Sequence, residues 1–162
     1  MFQFHSDLKY YFDINTKTAD EFIIPFIKEH IDIETPLRIL DVGCGEGGIL
    51  NAFLQKGHTG VGIELDPVRL DHATNWLQKE IDAQKIKFIC VNIFDINVND
   101  PNFKKYDLII LKDVIEHIHN PSAFIAQLKL FLKPGGAIFF GFPPWQMPFG
   151  GHQQICKNKW LS

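Results

Sequence analysis

The stretch Ile39-Leu40-Asp41-Val42-Gly43-Cys44-Gly45-Glu46-Gly47-Gly48 joins a short apolar run to a cluster of glycines. Residues 37–42 (LRILDV) read as a buried strand, and the residues after Gly48 read as a helix. Glycines at such a junction let a ligand approach the backbone, and the helix N-terminus offers N–H groups to it. Gly43, Gly45 and Gly48 satisfy G-x-G-x-x-G, and Glu64 follows Gly43 by 21 positions, as in a dinucleotide fingerprint. The stretch therefore predicts a small-ligand site at the end of the first strand.

Outward from it, short apolar runs alternate with amphipathic ones. Strands are expected at 37–42, 60–65 (GVGIEL), 86–91 (IKFICV), 106–111 (YDLIIL) and 137–142 (AIFFGF). Most are apolar throughout, as strands covered on both faces are. Asp66-Pro67 signals a helix carried by Leu70, Ala73, Trp76, Leu77 and Ile81, and Asn120-Pro121 signals one carried by Phe124, Ile125, Leu128, Phe131 and Leu132. Lys133-Pro134-Gly135-Gly136 should end the second of these. Before the first strand, 19–31 has a helical pattern that Pro25 interrupts. The expected fold is α/β, a doubly wound, Rossmann-like sandwich with a mostly parallel sheet. Its ligand site should lie at the carboxyl ends of the strands. The chain divides into an N-terminal helical segment (1–36), the core (37–143) and a loop (144–162).

With 162 residues, 46% of them hydrophobic, the chain can bury one sizeable core. A net charge of -3 gives no basic footprint and so does not indicate nucleic acid. Without a run of roughly 20 apolar residues or a secretory leader, no membrane association and a cytoplasmic location are expected. Cys44, Cys90 and Cys156 are far apart and form no C-x-x-C pair, so they read as reduced thiols.

Asp41 helps to separate two candidate cofactors. A carboxylate ending the first strand would repel the pyrophosphate of NAD, whereas S-adenosylmethionine brings a sulfonium and an ammonium and no phosphate. Glu64 suits both, because both present ribose hydroxyls. The chemistry first expected is thus methyl transfer. An NAD-binding oxidoreductase domain and a non-catalytic S-adenosylmethionine-binding module are the alternatives.

LDVGCGEGG, GIELDP, FICVNIFD, YDLIILKDVIEHIHNP and LKPGG, in that order over residues 37–143, resemble the class I S-adenosylmethionine-dependent methyltransferases. The resemblance is greatest to the group containing the ubiquinone-pathway O-methyltransferases. It implies that Asp41, Gly43, Cys44 and Gly45 line the methionine end, that Glu64 binds the ribose and that Leu65 packs on adenine. It also implies that Asn92 and Ile93 contact the adenine, where the family commonly has aspartate in place of Asn92. The backbone at Leu111 and Lys112 would meet the methionine ammonium. The acceptor would be a small molecule, with O-methylation favoured, attacked by direct displacement.

Such domains close their sheet with a sixth and a seventh strand, and neither can be read after Phe142, so a continuation of the native chain is expected. Some relatives hold a divalent metal through Glu-x-x-Glu-His and a later histidine. By that likeness Asp113, Glu116, His117 and His152 form a candidate metal set. If a helix began near Asp113, the first three would share one face. Without a metal, Asp113 would cap that helix and His117 would serve as a general base or fill the pocket rim. His117 and His152 are the catalytic candidates.

Overall fold

The computed structural model describes residues 7–142. His152, Cys156 and the rest of the 144–162 loop lie outside them. Five parallel strands form one sheet: β1 (Arg38–Val42), β2 (Thr59–Glu64), β3 (Ile86–Cys90), β4 (Tyr106–Lys112) and β5 (Leu132–Gly141), in the order β3-β2-β1-β4-β5. The chain runs outward from β1 in one direction through β2 and β3, then returns to pair β4 on its other side. The carboxyl ends of β1 and β4 therefore flank the point where strand order reverses, which is where open α/β sheets place ligands.

Alternation along each central strand divides the core between two faces. Ile39, Leu108 and Ile110 pack with Phe12, Ile23, Leu50 and Phe53 of the N-terminal helices and of α3 (Gly48–Gln55). Leu40, Ile109 and Leu111 pack on the opposite face with Phe124, Leu128 and Phe131 of α6 (Pro121–Phe131). Burying both faces explains why these strands read as continuous apolar runs.

The expected start signals hold. The Asp66 carboxylate accepts from Val68 N at 2.9 Å to open α4 (Pro67–Trp76), and the Asn120 carboxamide accepts from Ala123 N at 3.1 Å to open α6. Three boundaries differ. The helix expected over 19–31 begins earlier, as α1 (Leu8–Thr18), and passes through a π-helical turn (Ala19–Ile23) into α2 (Ile24–Lys28). Ile24 N donates to Ala19 O across that wider turn just before Pro25, whose missing N–H and bulky ring disfavour regular α geometry there. The helix after Asp66 breaks at Leu77 and resumes as α5 (Gln78–Asp82). Lys133-Pro134-Gly135-Gly136 belongs to β5, where the register slips between the Tyr106–Leu132 and Leu108–Ala137 pairs.

Candidate functional site

Asp41 sits near the end of β1, only 1% exposed, and its Oδ2 has no hydrogen-bond partner among the described residues. Burial pushes its carboxyl up to about 8, against the pull of Lys112 and with the help of Glu64. A buried carboxylate that the chain leaves unsatisfied is costly unless a cation arrives to compensate it.

Above it, the glycine loop folds through left-handed positions at Gly43 (φ +72°) and Gly45 (φ +53°). Two backbone bonds, Gly43 N and Cys44 N each to Ile63 O at 2.8 and 3.0 Å, tie this loop to β2. Glu64 ties it again: its Oε2 accepts from Gly45 N at 3.0 Å, while Oε1 accepts from Leu65 N at 2.7 Å and Asp66 N at 3.1 Å. Cys44 is buried, and burial pushes its thiol well above the usual range, as suits a packing residue.

A narrow cleft opens over the loop, lined by Tyr11 and Asn15 from α1, Gly43, Cys44 and Glu46 from the loop, and Lys112 and Asp113 from the end of β4. Asp41 is buried, close enough to Lys112, Glu64 and Cys44 for their charges to act on one another. Leu65, 65% exposed, and Asn92 stand at the neighbouring ends of β2 and β3. The Asn92 side-chain oxygen accepts from Phe94 N at 3.1 Å, which leaves its second lone pair for another donor. Ile93 and Leu111 are buried. The strands thus bring Asp41, Gly43, Cys44, Gly45, Glu64, Leu111 and Lys112 to one end of the sheet, with Leu65, Asn92 and Ile93 beside them.

The helix expected from Asp113 does not form. Asp113 adopts φ +57°, and only a 3-10 turn (Ile115–His117) follows before α6. Asp113 N donates to Gly141 O at 2.7 Å, continuing the ladder to β5 in place of capping a helix. Asp113, Glu116 and His117 consequently do not share a helical face. His117 is exposed and lines neither this cleft nor the one beside it. Among the described residues, no group of three His, Cys, Asp or Glu side chains is placed to hold a metal ion.

Two features escaped the sequence reading. The buried Glu46 carboxylate takes two hydrogen bonds from Arg69 of α4, and the two residues are too far apart in sequence for any local pattern to join them. A second cleft, of about 260 Å³, adjoins the first through Lys112 and Asp113 and draws its other walls from α1, the π turn and β5.

Comparison with known proteins agrees with this fold. A family model described as a methyltransferase domain matches residues 16–150. The ubiquinone biosynthesis O-methyltransferase of Rickettsia typhi is 35% identical over 116 residues, 72% of this chain and 45% of that protein. The corresponding protein of Idiomarina loihiensis is 30% identical over 71% of this chain and 46% of its own length. The chain thus spans about half the length of the curated relatives it matches. In fold it is similar to an S-adenosylmethionine-dependent methyltransferase from Clostridium acetobutylicum, with a TM-score of 0.61 and 24% identity over 77% of this chain and 49% of that one. With its parallel sheet, its glycine loop and a family match over most of its length, the chain belongs to the methyltransferase-domain family.

Proposed function

We propose that this chain binds S-adenosylmethionine at the glycine loop and takes part in methyl transfer to a hydroxyl of a small-molecule acceptor. The observation that carries the reading is the acidic pair at the carboxyl ends of β1 and β2, Asp41 buried with an unsatisfied oxygen and Glu64 bound to the loop. A carboxylate under the cleft favours a cation in it, and a carboxylate at the end of β2 can accept from a ribose diol.

Each group then has a task. Gly43 and Gly45 allow close approach to the loop backbone, with Cys44 packed beneath. The backbone at Leu111 and Lys112 faces the methionine ammonium, Leu65 lies against the adenine, and Asn92 with Ile93 borders its edge. When bound, S-adenosylmethionine supplies a methyl group on a positively charged sulfur. The protein's contribution is alignment and removal of the acceptor's proton. The names of the curated relatives support oxygen as the acceptor atom.

Calorimetric titration with S-adenosylmethionine, with its demethylated product and with NAD tests the reading. The first two should bind and NAD should not. Tighter binding of NAD would replace the proposal with a nucleotide-dependent oxidoreductase.

A further inference from the structure

Arg69 reaches the glycine loop from the first turn of α4 and meets two carboxylates there. Its Nε and Nη2 each lie 2.8 Å from an oxygen of Glu46, and its Nη1 lies 4.0 Å from Oε2 of Glu64, beyond hydrogen-bond length. The guanidinium rests against the loop backbone: a Cβ on Gly45 would come within 2.5, 2.9 and 3.3 Å of Nη2, Cζ and Nε. Arg69 and Glu46 both line the narrow cleft. Their paired bonds cancel the charge of Glu46, which is buried and would otherwise stand uncompensated in that lining.

The charge of Arg69 also reaches the loop beyond its partner. Burial is the main cause of the raised pKa of the Cys44 thiol, the charges of Asp41 and Glu64 raise it further, and that of Arg69 opposes them. Across the cleft, Lys112 is paired with Asp113. The carboxylates around the cleft are thus of two kinds. Glu46 and Asp113 each accept a hydrogen bond from a cation, whereas among the described residues Asp41 and Glu64 do not.

We propose that the Arg69–Glu46 pair sets the charge balance of this cleft, and that Arg69 limits its preference for a cationic sulfonium donor over the neutral thioether product. This rests on the methyl-donor reading of the cleft. Methyl transfer discharges the sulfonium, so a carboxylate that attracts the donor's charge holds the starting complex more strongly than the transition state and slows the step. With Glu46 cancelled, Asp41 and Glu64 draw the donor in without a third carboxylate from the loop. Arg69 thereby determines specificity between two ligands of the same shape at the adenosine and amino-acid ends.

Calorimetry with S-adenosylmethionine and with its neutral product, S-adenosylhomocysteine, tests this on the parent, Arg69→Met, Glu46→Gln and the double variant. The ratio of the two affinities reads charge, because the ligands differ by one positive charge, while damage to the loop weakens both alike. Arg69→Met should move the ratio about fivefold toward the sulfonium, and Glu46→Gln about threefold toward the thioether, as expected for one unit charge acting across a partly solvated site. The double variant loses the clamp but regains the charge balance, so its ratio should return to within about twofold of the parent's while both affinities stay reduced. A ratio unchanged in both single variants, or moved as far in the double variant as in Arg69→Met, would overturn the proposal. If Arg69→Met does not fold, Glu46→Gln decides alone, and a ratio that fails to move toward the thioether overturns it. Failure of the parent to bind either ligand would instead overturn the methyl-donor reading.

Discussion

Arg69 Nε and Nη2 donate to the two oxygens of Glu46, each at 2.8 Å, so that a guanidinium from α4 clamps a carboxylate of the glycine loop. The partners are unequally buried, with side-chain exposures of 35% for Arg69 and 3% for Glu46. Removing them should therefore have unequal effects. Arg69→Met strands a buried carboxylate and should cost about 2–3 kcal/mol, less than a fully buried pair because Arg69 is partly solvated. Glu46→Gln leaves a cation that can turn to water, at about 1 kcal/mol. Urea denaturation of the two variants measures the difference, and equal losses would contradict the asymmetry.

Gly45 lies directly under that guanidinium. A Cβ on it would come within 2.5 Å of Arg69 Nη2, at φ +53°. Gly45→Ala should lose about 1–3 kcal/mol from the strained backbone and weaken cofactor binding by displacing Arg69. Thermal denaturation and calorimetry on one preparation check both effects.

Asp41 gives the site a pH signature. Its carboxyl, held at about 8 in the folded chain, takes up a proton that the unfolded chain binds only below about pH 4. Its stabilising contribution is full below the unfolded value and is lost as pH rises through about 8. Stability should thus fall as pH rises from about 4 and level off above about 8, and Asp41→Asn should flatten that fall. Binding a cation should expel the proton: near pH 7, calorimetry in buffers of different ionisation enthalpy should report proton release, reduced in Asp41→Asn.

His58 acts in the opposite direction. It is buried, its Nδ1 accepts from Leu37 N at 3.1 Å, and burial lowers its pKa below the usual 6.5. The folded chain then binds fewer protons than the unfolded one, so this group costs stability as pH falls below about 6.5. Acid titration of the parent and of His58→Gln should show a shallower decline in the variant.

The strands, the glycine loop and the Asp66 and Asn120 caps were legible because each rests on local chemistry: apolar runs, glycines between a strand and a helix, and side chains that accept from the next turn. Glu64 was legible as the carboxylate ending β2. The Asp113 segment was not. Its D-x-x-E-H spacing fits a helical face, but the 2.7 Å bond from Asp113 N to Gly141 O draws the backbone toward β5, a contact between residues 28 positions apart. Arg69–Glu46 and the second cleft escaped for the same reason, since each joins elements that meet only after the sheet has formed.

The most direct test of the account is a crystal structure of this chain with S-adenosylhomocysteine. The ribose hydroxyls should lie about 2.6–3.2 Å from the Glu64 carboxylate, with the amino-acid end over Gly43 and the unsatisfied Asp41 below it. A ligand bound elsewhere, or at the glycine loop with its ribose turned away from Glu64, would contradict the account.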